Sequence, residues 1–353
     1  IRDSYNLDIQ YPRMGDYAWE HNSEKIILKG KGENRRSFYK IDLALGDTVI
    51  YLDSSVFNYK GDDIPIVNWS LSEDGKWMLI QSERHKIWRH SNKGTFYILK
   101  LVDKSIRKVS KKNENLRNVK ISPDSKWVSY IRDDNNLYVY NIDRKREKKL
   151  TRTGSETILN GHFGWVYEEE LSGYDGYRWS PDSKKIAFLQ EDQSSVPIFM
   201  LFDEMNLYPK LTKIRYPKAG QTNPKMTLFI SDIRRGKPKK INVGVTLDKY
   251  FPWMEWSGND SLVLMKMNRL QKNWNFLNIN AKTGKYTSGL SESDPKGWVQ
   301  MHRNYFFLKN DNILWMSERD GWHHIYIHKK DGSLVKKITK GKWEVKKIVD
   351  VDE

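Results

Sequence analysis

Three consecutive carboxylates, Glu168, Glu169 and Glu170, stand behind two aromatics in the segment Gly164-Trp-Val-Tyr-Glu-Glu-Glu-Leu171. If one or two helical turns form here, held down by Trp165, Val166 and Leu171, the three side chains fan out at successive angles of about a hundred degrees. Two of them then converge on one point only where the helix presents its edge. Two close carboxylates share a proton unless a cation lies between them, so such a pair is suited to an ammonium group. The amino terminus of a peptide meets that need, because it carries three donors on one positive centre and two carboxylates satisfy most of them. A solvated acidic helix face is the plainer alternative for any Glu triplet.

A second group of candidates lies in Ile87-Trp-Arg-His-Ser91. Arg89 offers a rigid fork of donors for carbonyl or carboxylate oxygens and pairs readily with Glu. A structural Arg stacked on Trp88 is the competing reading. No other chemistry stands out. The sequence holds no Gly-x-Ser-x-Gly elbow, no phosphate-cradling glycine loop and no His-Glu-x-x-His. His323 and His324 are neighbours that a strand would point to opposite faces, so no metal site is expected, and no cofactor.

What must position these residues is an internal repeat of roughly fifty residues. Its first half is a turn running into a strand, clearest in Trp69-Ser-Leu-Ser-Glu-Asp-Gly-Lys-Trp77, Val119-Lys-Ile-Ser-Pro-Asp-Ser-Lys-Trp127 and Tyr177-Arg-Trp-Ser-Pro-Asp-Ser-Lys-Lys185, with weaker copies near Trp19 and Trp256. Its second half is a hairpin, starting near Phe38, Phe96, Leu137, Leu228, Phe276 and Ile325. Each repeat therefore offers about four short antiparallel strands, the content of one propeller blade. A blade cannot bury its faces alone, so Trp77, Trp127, Trp179 and Trp256 are expected in the layers between blades. Trp343-Glu-Val-Lys-Lys-Ile-Val reads as the first strand of a seventh unit. The expectation is an all-β chain, a β-propeller of four-stranded antiparallel blades truncated after six to seven, forming one incomplete domain over 1–353. The rhythm breaks between Leu137 and Leu228, where segments 161–177 and 197–224 are inserted. Irregularities of this kind are where repeat arrays carry function.

Composition sets the outer limits. The 353 residues include 14 Trp and 19 Tyr, which implies a sizeable core rather than a disordered chain. Lys and Arg number 61 against 45 Asp and Glu, a net charge of +16. The densest basic runs, Arg144 to Lys149 and Arg234 to Lys240, fall in hairpin turns of the repeat, where charge is solvated, so nucleic acid is not an expected partner. The absence of cysteine excludes disulfides and thiolate chemistry and fits a reducing compartment or a bacterial envelope. No window approaches eighteen apolar residues, so no membrane contact is expected. Beginning at Ile1 without a charged-then-apolar leader, the chain reads as an excised, soluble piece.

Across nearly its whole length the sequence resembles the N-terminal propeller of the dipeptidyl peptidase IV family, serine exopeptidases whose α/β-hydrolase domain follows the propeller, and a bacterial member is expected. The most specific element is the family motif Asp-Trp-Val-Tyr-Glu-Glu-Glu, present as Gly164 to Glu170, followed by Trp179-Ser-Pro and Val196-Pro. Tyr208-Pro-Lys, Ile214-Arg-Tyr-Pro-Lys-Ala-Gly220 and Thr339-Lys-Gly-Lys-Trp-Glu-Val345 have counterparts as well, and the family pattern has eight blades. The resemblance implies that Glu169 and Glu170 bind the substrate α-ammonium and that Arg89, in a matching Trp-Arg-His-Ser stretch, reaches its backbone carbonyl. It carries no role over to Glu168 or to Gln300–His302. Gly164 departs from the family's usual Asp.

The function implied is removal of N-terminal Xaa-Pro or Xaa-Ala dipeptides, with this chain holding the free amino end and gating access. The triad would lie in the hydrolase domain of the same polypeptide, so this chain alone would be inactive. Homodimerisation through the arm at 197–220 and a periplasmic or cell-envelope location are implied likewise. The competing readings are a tripeptidyl or acylated-peptide relative, a pure protein-interaction propeller and, from the charge alone, a nucleic-acid binder.

Overall fold

The computed structural model describes residues 16–110, 112, 115–205, 207–302 and 304–352. Among these the chain is almost entirely strand, with one α-helix, α1, at Trp165–Leu171. It divides into two compact units, one of Ile1–Arg84 with Gly94–Asn113, the other of His85–Lys93 with Glu114–Glu353.

The first unit holds two antiparallel four-stranded sheets, each in simple sequence order. One comprises Tyr17–Trp19, Lys25–Lys29, Phe38–Asp42 and Thr48–Leu52; the other comprises Asn68–Leu71, Trp77–Gln81, Phe96–Lys100 and Ile106–Lys108. Ile27, Phe38, Leu52, Phe57, Met78, Ile80 and Leu99 form their common core. The second unit holds four more. Arg117–Ile121 opens the first of these and Tyr305–Phe307 the last, and the middle two are five-stranded because their first strand is split in two. These sheets are the blades of a β-propeller fold, and all six hairpins expected from the sequence fall on them in the expected places.

The repeat's turn has a shared physical basis. Ser72, Ser122 and Ser180 are buried; each hydroxyl donates to the Asp two residues on, at 2.7 Å, and accepts the N–H five residues on, at 2.9–3.0 Å. The Asp in turn accepts a backbone N–H from the residue two further on. The fourth residue, Gly75, Ser125 or Ser183, takes the left-handed conformation with φ of 56–66°. Asp is thus the acceptor that closes the turn and Gly or Ser the residue that bends it.

Trp77, Trp179 and Trp256 are buried as expected, while Trp127 is half-buried at the edge of a core cluster. The expected seventh strand is not formed: residues 343–350 pair with no strand. Ile348 instead packs on Leu314 and Met316, with Val345 and Val351 alongside.

The two insertions belong to one blade. Its first strand is split into Ile158–Asn160 and Tyr177–Trp179, both paired with Lys185–Asp192, and the break carries α1. The second leaves after Asp192 as a two-stranded hairpin, Ile198–Asp203 with Lys210–Arg215, before the blade resumes at Lys225–Asp232.

Candidate functional site

α1 is short, and tertiary contacts rather than propensity hold it. Tyr167 and Leu171 enter a core cluster with Phe163, Leu189, Phe251 and Trp256. The Tyr167 ring stacks on Phe163 at 4.9 Å, and its hydroxyl accepts the Phe251 N–H at 3.1 Å. Trp165 lies against Tyr216 at the root of the arm, with ring centroids 4.9 Å apart. Tyr167 therefore does the anchoring expected of Trp165 and Val166. Ser172, in the left-handed region at φ 50°, ends the helix.

This seating sorts the three carboxylates. Glu168 points inward and is 0% exposed. Its Oε1 accepts the backbone N–H groups of His90 at 2.5 Å and Ser91 at 2.7 Å. Glu168 is thus the residue that sequence reasoning left without a role, and it fastens the 85–93 hairpin to the helix. That hairpin, His85–Lys86 with Asn92–Lys93, is gripped at its tip, next to Arg89. Charge-assisted bonds to backbone N–H groups are among the stronger hydrogen bonds, and burial increases their weight.

The same grip brings the two remaining candidates together. Arg89 Nε donates to Glu169 Oε2 at 2.7 Å, with the Glu169 side chain 13% exposed and the Arg89 side chain 70% exposed. Arg89 forms no cation–π contact with Trp88 among the described residues, which disfavours the stacking alternative. Glu170 is exposed and among the described residues enters no ion pair. One carboxylate is therefore oriented by a cation and its neighbour is free to accept one. So exposed an arginine contributes under about 1 kcal/mol to folding through this pair; its value lies in orientation.

Beneath the hairpin lies a second positive charge. Arg117 Nη1 donates to His162 Nδ1 at 2.8 Å, and His162 Nε2 donates to Asn135 Oδ1 at 3.0 Å. Burial and the Arg117 charge hold the His162 pKa well below its ordinary value, so the ring is neutral and that tautomer is fixed. Burial pulls Arg117 down to about 10, and Glu168 and Asp133 pull it partly back. A cavity of about 230 Å³ opens beside the start of α1, with Trp88, Arg117, His162, Trp165 and Arg215 in its wall.

Gln300 and His302, where sequence reasoning assigned nothing, line another cavity of about 440 Å³ together with Trp298, Arg319 and His323. His302 donates from Nε2 to the Met316 carbonyl at 2.6 Å, and burial pushes it down to about 4, so it is a neutral structural ring. His324 is buried between Thr339 Oγ1 and the Gly341 carbonyl, apart from its neighbour's cavity. No group of three metal-ligating side chains occurs among the described residues. A larger concavity of about 840 Å³, lined by residues 16–22 and 68–73 of the other unit, holds none of the candidate substrate-binding residues Arg89, Glu169 and Glu170.

Comparisons with known proteins agree on one family. Residues 72–353 match the dipeptidyl peptidase IV (DPP IV) N-terminal region. Dipeptidyl peptidase 4 of Felis catus is 31% identical over 328 residues, 85% of this chain and 42% of that protein. Dipeptidyl aminopeptidase B of Saccharomyces cerevisiae is 28% identical over 316 residues, 84% of this chain and 38% of that protein. The crystal structure of Porphyromonas gingivalis dipeptidyl peptidase 4 has a TM-score of 0.88 at 26% identity, over 96% of this chain and 48% of that one. The chain spans less than half the length of the relatives it matches. By its matched length, its blades and its helical insertion, the chain belongs to the dipeptidyl peptidase IV N-terminal region family.

Proposed function

We propose that this chain is the substrate-recognition propeller of a dipeptidyl peptidase IV-like serine exopeptidase that removes N-terminal Xaa-Pro or Xaa-Ala dipeptides. Glu169 and Glu170 take the substrate α-ammonium, Arg89 takes a backbone carbonyl beside it, and an α/β-hydrolase domain of the same polypeptide supplies the nucleophile. The observation that carries this reading is the Arg89 to Glu169 contact at 2.7 Å beside an exposed Glu170, one residue on along the same helix. Anchoring the ammonium fixes how many residues reach a distant serine, and it lowers the entropic cost of reaching attack geometry. A periplasmic or envelope location and self-association through the arm belong to the same reading. The exposed apolar side chains of Met200, Leu201, Phe202 and Leu207 on that hairpin support the latter.

Titration calorimetry with a short Xaa-Pro peptide, free or acetylated at its amino end, tests the clamp. Binding of the free-amine peptide alone, lost in Glu169→Gln, is expected. Equal binding of both peptides would reject the ammonium site and favour a protein-interaction propeller. In the two-domain enzyme, Glu169→Ala or Glu170→Ala should lower kcat/KM by the equivalent of about 2–5 kcal/mol, the usual loss when one partner of a desolvated charge pair is removed.

A further inference from the structure

The helix bearing the Glu pair lacks a cap of its own. Gly164 occupies the N-cap position and supplies no side chain to the first turn. Residues with a side-chain oxygen are preferred there because they satisfy N–H groups left unpaired at a helix start. A carboxylate from another element accepts the N–H of Gly164 itself, the bond that the Glu of a capping box makes to the N-cap backbone. Glu191, near the end of strand Lys185–Asp192, is 1% exposed, and its Oε2 accepts the Gly164 N–H at 2.9 Å. Its Oε1 accepts from Gln193 Nε2 at 2.7 Å.

The three residues depend on one another. A Cβ added at Gly164 would stand 1.9 Å from Gln193 Nε2 and 3.2 Å from Glu191 Oε1, so no larger residue fits while Gln193 braces Glu191. An Asp at 164 could cap the helix itself, but here that space is taken by the brace. With Gly at 164, no side chain there reaches the first-turn amides, and the start of the helix is held instead through the Gly164 N–H by Glu191.

We propose that Glu191 is a positioning residue for the ammonium clamp: it fixes the start of α1 on the blade and thereby sets where Glu169 and Glu170 point. This rests on the clamp reading above. Facing Glu191 are the Gly164 N–H from α1, the Gln193 amide from its own chain segment and, at longer range, the Tyr167 phenol, whose ionisation burial pushes well up. Among the described residues Glu191 enters no ion pair, and burial pushes its carboxyl up to about 7. The Gln193 amide serves either protonation state, donating to the carboxylate or, turned over, accepting from the acid. The cap therefore survives across neutral pH.

The test combines hydrogen exchange at the amides of residues 164–168 with peptide calorimetry on the full chain, in Glu191→Ala, Gly164→Ala, Glu191→Gln and, as a control on the clamp itself, Glu169→Gln. Both alanine variants should speed α1 exchange and weaken free-amine peptide binding about tenfold, the size expected when a buried N–H loses its acceptor. Glu191→Gln, whose amide oxygen still accepts the Gly164 N–H, should restore both to within about threefold. Wild-type exchange of α1 in Glu191→Ala overturns the proposal, as does loosened exchange with undiminished binding. If Glu169→Gln binds as well as the parent, the clamp reading has failed, and the exchange rates still decide whether Glu191 holds the helix. If Glu191→Ala does not fold, Gly164→Ala, which displaces the same brace from the other side, takes its place.

Discussion

The two insertions of one blade are built in opposite ways. The first is wired into its surroundings: Glu168 holds two N–H groups of a hairpin 77 and 78 residues earlier, Tyr167 accepts one 84 residues later, and Glu191 holds the Gly164 N–H from the neighbouring strand. The second, Ile198–Asp203 with Lys210–Arg215, is held by its own ladder, and it is rooted by the Tyr216 contacts and the Arg215 bond to the Val196 carbonyl. Apart from Ile214, which is buried, and Phe199, which is half-buried, its apolar side chains face outward, with Phe202 67% exposed. A two-stranded ribbon alone is marginal in water. The first insertion is thus fixed in place by contacts within the chain, while the second presents exposed apolar side chains.

The largest effect expected from this contrast is at Glu168. Its replacement by Ala removes the acceptor of two N–H groups and leaves them without a partner, at about 1–3 kcal/mol each. A combined destabilisation of about 4 kcal/mol should appear in chemical denaturation, and amine-peptide binding should fall with it because Arg89 rides on the same hairpin. Glu168→Gln keeps an acceptor and should recover most of both. If Glu168→Ala proves as stable as the parent, the site is not preorganised by burial and resembles the arm more than the structure indicates.

A smaller effect lies in the pH dependence. The Glu191 carboxyl is raised from 4.5 to about 7, chiefly by burial. The folded chain then keeps a proton that the unfolded chain releases between those values. The stability from the neutral form is complete below about pH 4.5 and is lost as pH rises through about 7, by on the order of 3 kcal/mol. Glu191→Gln removes that dependence, so it should be more stable than the parent at pH 8 and indistinguishable from it near pH 4.5 in thermal melts. The expected sign is specific to a buried carboxylate; a variant less stable than the parent at pH 8 would mean that the charge, not its burial, dominates at the start of α1.

The fold and part of the candidate site were legible in the sequence, and the exceptions share a cause. Blades could be read because Ser-Pro-Asp-Ser and the hairpins repeat, and each is a local object: a turn closed by its own Ser and Asp, a strand pair closed by its own ladder. Glu169 and Arg89 could be singled out as residue types and as parts of motifs. Glu168 could not, because a Glu triplet gives no sign of which member turns inward, and its partners are distant backbone groups with no sequence signature. Glu191 was hidden for the same reason, one acid in the polar run Gln190-Glu-Asp-Gln193, when only the missing side chain at Gly164 hints that a carboxylate is needed nearby. At Trp343 the error ran the other way, since the run Trp343-Glu-Val-Lys-Lys-Ile-Val was read as a strand where the chain packs as an irregular cover over Leu314 and Met316.

The smallest effect on folding is expected in the arm, and there it separates the two kinds of insertion most cleanly. Phe202 contributes nothing to a buried core, so Phe202→Asp should alter the stability of the chain by no more than about 0.5 kcal/mol, as for most surface substitutions. Amine-peptide affinity should be unchanged as well, because the contacts from the arm to α1 run through Trp165 and Tyr216 at its root, not through its tip. What the substitution should change is association: the parent chain should sediment as a dimer at micromolar concentration and the variant as a monomer, since a charge placed among Met200, Leu201 and Leu207 opposes burial of that surface. A parent already monomeric, with Phe202→Asp no different, would show that this surface is covered by something other than a second copy. Binding lost in Phe202→Asp would instead join the arm to the site and dissolve the distinction between the two insertions.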